Sequence, residues 1–278
     1  MELPKIPIGN AVELLVEAAD KYLGWFFDII TTVITFMVST TTDSILNLHP
    51  FIFIAILAVI SWRLAGIRVA VGTALGMFLI WNIRMWEPAM ETISLVVIAT
   101  FVSLIISIPL GIMTARSDSV HRVVMPILDF MQTMPPFVYL VPAVILFAIG
   151  EVPGLIATVV FAMPPAIRLT GLGIRQVPED LVEAAEAFGS TSTQKLIKVQ
   201  LPLALPTIMA GINQCILLAL SMVVIAAMVG VGGLGGMVLR GIQRLDVGMG
   251  FEAGLSIVII AMILDRITQK IAGGKKTT

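Results

Sequence analysis

A polar stretch at residues 177–206 holds the side chains best suited to specific chemistry in an otherwise strongly apolar chain. Its first half has apolar residues at i, i+3, i+4 and i+7, the spacing of one helix face: Leu181, Ala184, Ala185 and Phe188. Glu183 falls on the opposite face, and Gly189 supplies a stop. The pattern predicts a short amphipathic helix that packs against another protein. Periodicity alone leaves a second interpretation open, a solvated loop that caps its own helix bundle.

The second half of this stretch carries its own start and stop signals. Thr191 and Gln194 have the spacing of a capping box, which predicts a second short helix. Pro202 is expected to end or kink that helix, because proline lacks the backbone N–H. Connections of this length between helices are usually functional or flexible.

The rest of the chain offers no catalytic or metal-binding pattern. Cys215, His49 and His121 are too widely separated in sequence to suggest a metal cluster, and a single cysteine excludes an internal disulfide. The segment 230–235 spells GxGxxG, but a dinucleotide site needs a preceding β-strand, and an apolar span precedes it here. We therefore expect no catalytic residue, cofactor or metal in this chain. We expect the glycines to form a tight re-entrant or loop structure near a pore.

The elements that must position the polar stretch are membrane helices. Of 278 residues, 58% are hydrophobic and 13% are charged, with a mean hydropathy of +1.03. A soluble domain has about 25% charged residues. A bilayer span takes about 20 apolar residues, and five segments are interpreted as core spans: Ile93–Ala115, Val123–Ile149, Val152–Leu169, Leu203–Val229 and Ala253–Ile271. Prolines are expected to interrupt the second span, and Pro164 and Pro165 to break the third near its end.

The N-terminal part predicts peripheral membrane helices. Phe51–Trp62 and Val69–Ile83 are apolar but somewhat short for full spans, with Arg63 and Arg68 in the tight turn between them. Tyr22–Val38 is expected either to span the membrane or to lie along its surface, and the sequence does not decide between them.

These segments divide the chain into an N-terminal element, 1–89, and a core, 90–272, that contains the polar stretch. The expected fold is an all-α polytopic membrane protein with about seven or eight membrane segments in total.

Basic residues indicate which end of the bundle faces the cytoplasm. They cluster between the first and second core spans, between the third and fourth, and after the fifth: Arg116, Arg122, Arg168, Arg175, Lys195, Lys198, Lys270, Lys275 and Lys276. Positive charge is enriched in cytoplasmic loops, so we expect the polar stretch and the C-terminus on that side. Arg240 and Arg244, on the opposite side, weaken this assignment without reversing it.

The polar stretch resembles the EAA loop of ABC importer permeases. The matching residues, in order, are Glu183, Ala184, Ala185, Gly189, Val199, Leu201 and Pro202. The family has isoleucine where this chain has Val199, which is a conservative difference. The resemblance implies a coupling helix that sits in a groove of an ATP-binding subunit. ATP-driven closure of two such subunits would then switch two membrane subunits between inward-facing and outward-facing states.

The same resemblance assigns roles to single residues. The implied ATPase-coupling set is Leu181, Glu183, Ala184, Ala185, Phe188, Gly189, Leu201 and Pro202. Its apolar members would form the docking face, Glu183 would meet a basic group on the partner, and Gly189 would permit the sharp exit from the helix.

Four further segments narrow the resemblance. Residues 126–135, 161–165, 186–191 and 264–268 look like the permease of glycine betaine/proline betaine importers, the osmoprotectant or compatible-solute class. The similarity extends well over 90–269. It implies a five-helix type I importer core, called MetI-like, with peripheral N-terminal helices.

The resemblance also implies partners and a location. The permease would act as a homodimer with two copies of an ATP-binding subunit, which carry the ATP and magnesium, and with a separate extracytoplasmic betaine-binding protein. It would lie in a bacterial or archaeal plasma membrane, serve during osmotic stress, and bind no nucleic acid. The alternative from another class is an ion-coupled secondary carrier for a small zwitterion. Such carriers often show internal repeats and charged midplane residues, and this sequence shows no convincing repeat.

A candidate translocation path follows from polar, aromatic and methionine side chains inside the spans. Its candidates are Gln132, Thr133, Met134, Pro135, Phe137 and Asn213. Soft and aromatic side chains suit a quaternary ammonium group. The open alternatives are bundle packing for the first five and an interhelical hydrogen bond for Asn213. Asp129 is interpreted either as part of this path or as a cap near the membrane surface.

Overall fold

A computed structural model describes residues 8–272, and every element in that range is helical. The helices are α1 (Ile8–Leu46), α2 (Pro50–Ala65), α3 (Ile67–Asn82), α4 (Trp86–Arg116), α5 (Asp118–Thr133), α6 (Phe137–Phe147), α7 (Glu151–Arg175), α8 (Glu179–Ala187), α9 (Ser192–Lys195), α10 (Leu201–Ala226), α11 (Gly233–Arg244) and α12 (Val247–Ala272). A π-helical segment, Leu196–Gln200, joins α9 to α10, and a 3-10 turn, Ala227–Val229, follows α10.

Five helical stretches are long and apolar enough to cross a membrane: Val16–Leu46, Trp86–Arg116, Glu151–Arg175, Ser192–Val229 and Val247–Ile271. The pair α5 and α6 makes a sixth if the two count as one broken span. The shorter α2 and α3 are also apolar. The prediction of an all-α polytopic membrane protein is confirmed.

The predicted interruption of the second core span is confirmed at Pro135 and Pro136, where the span divides into two helices, whereas α5 and α6 continue through Pro126 and Pro142. The axes of α5 and α6 differ by 97°, and the break falls at Pro135 and Pro136. Met134, just before the prolines, is extended with ψ of 133°. A residue that precedes proline avoids the helical region, and two successive prolines remove two hydrogen-bond donors. The chain therefore turns here.

The predicted break at Pro164 and Pro165 is wrong, because α7 runs through both residues without interruption. Pro164 is buried, and a Cβ added at Gly111 of α4 would lie only 2.8 Å from the carbonyl oxygen of Ile167. Close packing against α4 thus holds this part of α7. Neighbouring helices commonly compensate for proline in membrane helices.

Several boundaries also differ from the sequence prediction. The segment Tyr22–Val38 is the middle of α1, which is one continuous helix of 39 residues. The fifth span begins at Val247 instead of Ala253, and the fourth is continuous with the short helix α9. Helix ends depend on local caps and tertiary contacts, which hydropathy does not record.

Helix α7 lies at the centre of the core and packs against α4 and α10. Small residues permit the close approach: a Cβ at Gly171 would lie 2.5 Å from Thr114 Oγ1, and one at Gly211 would lie 3.2 Å from Ala166 Cα. Small residues at helix crossings are typical of membrane bundles. The N-terminal helices pack on this core, α1 against α4 and α6, and α2 with α3 against α12.

Candidate functional site

The predicted docking face lies on α8, which has no buried residue. Phe188, just after the helix, is 92% exposed, and Leu181 is 42% exposed. Ala184 is exposed and Ala185 half-buried, while Glu183 is exposed as well. The apolar face is therefore directed away from the bundle, which disfavours the interpretation of a loop that only caps its own helices.

Gly189 ends this helix with a left-handed backbone, at φ +76°. Its N–H donates to the carbonyl of Glu186 at 2.8 Å, and the N–H of Ser190 donates to the carbonyl of Ala185 at 3.0 Å. These two bonds are the Schellman arrangement, in which glycine is favoured because a side chain is strained at positive φ. The predicted stop at Gly189 is confirmed.

The predicted capping box begins the next helix. The Thr191 side chain accepts from the Gln194 N–H at 3.3 Å, and the Gln194 side chain accepts from the Thr191 N–H at 2.9 Å. Lys195 forms an ion pair with Glu186 across the turn. The two short helices are thus held to each other by contacts within the stretch.

The stretch is anchored at Leu196, which is buried with Ile174, Ala204 and Ile208. Leu201 is half-buried against the same cluster. Pro202 was expected to end or kink the short helix, but the helix does not end there, because it continues through the π-helical segment into α10, where Pro202 is exposed. The Leu201 N–H donates to the carbonyl of Leu196 in this segment. Such local π-helical adjustment compensates for the N–H that proline lacks in a membrane helix.

The first five candidate path residues cluster at the break between α5 and α6. Gln132, Thr133, Pro135 and Phe137 are exposed, and Met134 is half-buried. The Tyr139 hydroxyl of α6 donates to the carbonyl of Met131 of α5, so a hydrogen bond joins the two helices across the break. The four exposed side chains therefore lie on the surface of this chain.

Two ion pairs attach α5 to α7. Arg168 Nη2 lies 2.6 Å from Asp129 Oδ1, and Arg175 Nη2 lies 2.7 Å from Asp118 Oδ1. Arg175 also donates to the carbonyl of Thr114 at the end of α4. Asp129 is thus neither an isolated carboxylate nor a helix cap, since its partner is an arginine of the neighbouring helix.

Asn213 lies apart from the other path candidates. Its Nδ2 donates to Asp265 Oδ1 at 2.8 Å, and its Oδ1 accepts from the hydroxyl of Thr268. Both partners belong to α12, whereas α5 and α6 pack on α7. The geometry favours the interhelical hydrogen bond over a place in the path.

The glycine segment at 230–235 forms a tight turn that α4 fixes. Gly230 and Gly233 have φ of +95° and +72°. The Gly233 N–H donates to Glu91 Oε2 at 2.6 Å, and the Leu234 N–H donates to Thr92 Oγ1 at 2.9 Å. A carboxylate suits the N-terminus of a helix, where N–H groups lack partners. Sequence reasoning missed Glu91 and Thr92, because they lie 142 positions before the groups that they bind.

Side chains that could hold a metal do not converge in the part of the chain that the structure describes. No group of three or more histidine, cysteine, aspartate or glutamate side chains suited to a metal ion occurs within 8–272. The described geometry is an exposed apolar helix face on α8 with an exposed polar region at the break between α5 and α6.

Comparison with known proteins decides the family. The sequence pattern of the binding-protein-dependent transport system inner membrane component family matches residues 107–272. The chain belongs to this family. It is 48% identical to the glycine betaine transport system permease protein OpuAB of Bacillus subtilis (strain 168), over 99% of this chain and 98% of that protein.

Further relatives and one structure agree with membership of this permease family. Identity is 48% to the glycine betaine/carnitine transport permease protein GbuB of Listeria monocytogenes serotype 1/2a (strain 10403S), over 96% of each chain. It is 53% to the glycine betaine/proline betaine transport system permease protein ProW of Escherichia coli (strain K12), over 82% of this chain and 64% of that one. An inward-facing MetNI methionine ABC transporter structure has the same fold, with a TM-score of 0.62 at 21% identity, covering 71% of this chain and 96% of that one. The predicted fold of an ABC importer permease is therefore confirmed.

Proposed function

We propose that this chain is the permease subunit of an ATP-driven importer for glycine betaine or a related quaternary-ammonium solute. The observation that carries the coupling role is the exposed apolar face of α8, with Phe188 92% exposed, on a member of this permease family. The names of three relatives support glycine betaine as substrate. No observation favours the secondary-carrier alternative.

In this proposal the segment 177–206 docks on an ATP-binding subunit. Aromatic residues that fill a pocket dominate many protein interfaces, and Phe188 supplies such a side chain without any folding role of its own. Glu183, also exposed, would meet a basic group of the partner. The buried anchor at Leu196 would pass the partner's movement to α10. ATP and magnesium would be bound by the partner, and no cofactor by this chain.

The assembly we propose has two copies of this permease, two ATP-binding subunits and an extracytoplasmic betaine-binding protein. The family description supports the need for a binding protein. The basic residues at the α8 end support a cytoplasmic position for the coupling loop and the C-terminus in a bacterial or archaeal plasma membrane. Residues 1–89 would be a peripheral element around the core, 90–272.

The translocation path would run along the exposed residues at the break between α5 and α6. Asp129 and Arg168, paired nearby, present one negative and one positive group, which match the two ends of a zwitterion. Neutralising both, as Asp129→Asn with Arg168→Gln, should lower the uptake rate severalfold while binding of the ATP-binding subunit is unchanged. An exposed pair contributes only about 0–1 kcal/mol to stability, so the variant should insert normally. Unchanged uptake would remove these two residues from the path.

Reconstitution tests the function as a whole. Vesicles that contain the permease with its ATP-binding subunit and binding protein should take up labelled glycine betaine only when ATP is present. Vesicles that contain the permease alone, with a sodium or proton gradient, should take up none. Gradient-driven uptake by the permease alone would establish the carrier alternative, and ATP-driven uptake of some other solute class would overturn the substrate assignment.

A further inference from the structure

Helices α3 and α12 separate toward one end and leave a cavity between them. At Gly76 they touch, because an added Cβ would lie 2.7 Å from Ile259 Cγ2. One turn earlier, at Gly72, an added Cβ would meet nothing within 4 Å. The resulting cavity has a volume of about 340 Å³, within the range of pockets that hold small organic ligands.

The walls of this cavity are apolar. They are formed by Val69, Gly72, Ile259, Met262 and Ile263. The one hydroxyl in the lining, that of Thr73, is hydrogen-bonded at 3.1 Å to the hydroxyl of Ser61 on α2. The walls therefore suit a hydrocarbon chain.

Two arginines, Arg68 and Arg266, lie at the open end of the cavity. Arg68 begins α3 and Arg266 lies near the end of α12, so the antiparallel helices bring both to the same mouth. Both are exposed, and neither pairs with an acidic side chain or makes a side-chain hydrogen bond within the described range. The acid next in sequence, Asp265, is directed to Asn213 and Gln269 instead.

The mouth lies at the level expected for lipid headgroups. Trp62, 54% exposed, and Arg63 occupy the end of α2 beside it. Tryptophan and arginine are enriched at the membrane–water interface. Helix α3 has 16 residues, which gives about 24 Å at 1.5 Å per residue. This is shorter than the hydrocarbon core, and the long side chains of flanking arginines extend from the ends of such a helix toward the headgroups.

We propose that this groove binds an anionic phospholipid, with its phosphate between Arg68 and Arg266 and one acyl chain along Gly72. Paired guanidinium groups bind phosphate through charge-assisted hydrogen bonds. Basic pockets between membrane helices on the cytoplasmic side suit anionic headgroups. The proposed transport substrate fits poorly, because its carboxylate would meet the two guanidinium groups while its quaternary ammonium would find no acidic or aromatic side chain in the lining. A soluble anion would leave the apolar walls unused.

Native mass spectrometry of the full-length permease, purified with its ATP-binding subunit, tests the site. The probes are phosphatidylglycerol and phosphatidylcholine with identical acyl chains. The permease should retain one phosphatidylglycerol per protomer in preference to phosphatidylcholine. Arg68→Gln with Arg266→Gln should lower that preference by about tenfold. Gly72→Leu should lower retention of both lipids, because the new side chain fills the groove where nothing lies within 4 Å.

Matched controls separate the site from general effects. Arg84→Gln removes an arginine from the opposite end of α3, and Gly24→Leu adds the same side chain at an open position on α1. Neither should alter lipid retention. Equal retention of the two lipids by the unsubstituted protein, or retention unchanged in both groove variants, would overturn the proposal. Displacement of phosphatidylglycerol by millimolar inorganic phosphate would also overturn it, since the site would then bind soluble anions.

Discussion

Two segments of this permease use glycines at positive φ to break the helices, the proposed coupling loop at 177–206 and the glycine segment at 230–235. They lie in opposite environments. A Cβ added at Gly189 would meet nothing within 4 Å. A Cβ added at Gly233 would lie 2.5 Å from Thr92 Oγ1, and one at Gly235 would lie 2.2 Å from the carbonyl oxygen of Val223. The coupling loop holds its shape through bonds within itself, whereas α4 and α10 hold the glycine segment.

Glycine therefore has a different purpose in each of the two segments. Where glycine only provides a turn, the neighbouring side chains stay exposed for a partner, as Phe188 does. Where glycine permits close contact, the segment belongs to the packed bundle. Substitutions should therefore affect docking at the first segment and folding at the second.

The largest effect is expected at Gly235. Alanine there places Cβ against the backbone of Val223, which cannot move aside as a flexible side chain can. We expect Gly235→Ala to destabilise the folded permease by about 3 kcal/mol and to lower the yield of folded protein. Thermal unfolding in detergent measures this, with Gly24→Ala as the control at an open position. If both variants unfold at the same temperature, the close contact does not constrain the fold.

The next effect is expected at Gly189 and concerns transport. Gly189→Asp meets no atom, and aspartate tolerates the left-handed region better than most residues, so the protein should remain inserted. The added charge lies beside the proposed docking face, and we expect ATP-dependent uptake to be abolished. The matched control is Gly189→Asn, which has the same shape without the charge and should keep more activity. Full uptake by Gly189→Asp would falsify the coupling role.

Phe188→Ala should weaken docking without changing the fold. The ring is 92% exposed, so its removal leaves no cavity. A central aromatic residue at an interface contributes about 2 kcal/mol, so the Kd for the ATP-binding subunit should rise roughly thirtyfold. Binding to the immobilised permease measures the change. Val247→Ala, which removes a side chain 83% exposed at the start of α12, should leave the Kd unchanged. Equal losses in the two variants would contradict a specific docking role.

The smallest effect is expected at Glu91. Glu91→Gln keeps an oxygen that accepts from the Gly233 N–H but loses the charge at the N-terminus of α11. The free energy of unfolding should fall by about 1 kcal/mol. The comparison is Glu17→Gln, an exposed acid in the interior of α1 and away from any helix N-terminus. If Glu17→Gln costs as much as Glu91→Gln, the contact with the glycine segment is not the cause.

Local patterns predicted the helix end and the helix start within residues 177–206. Gly189 and the capping box at Thr191 depend on residues within about six positions of each other, and both are confirmed. Hydropathy likewise predicted that the chain is a polytopic helical membrane protein, since long apolar runs need no tertiary information.

Features that depend on distant residues were not predictable in this way. Proline at 164 and 165 favours a break locally, but packing against α4 overrides that preference. Asn213 was equally consistent with a path and with packing until its partner Asp265 was known. The ion pair between Asp129 and Arg168 joins residues 39 positions apart, and nothing in their sequence spacing indicates it.

The continuity of the helix that begins within the segment 177–206 has a mechanical consequence. Ser192–Val229 is a single helical stretch of 38 residues, about 57 Å long at 1.5 Å per residue. For a stiff rod of that length, a tilt of about 5° at one end moves the other by about 5 Å. The far end meets the start of α7, where the Gly150 N–H donates to the carbonyl of Val229 at 2.9 Å. A small displacement at the proposed docking surface would thus move the opposite end of this one helix directly, without a relay of side chains between the two ends.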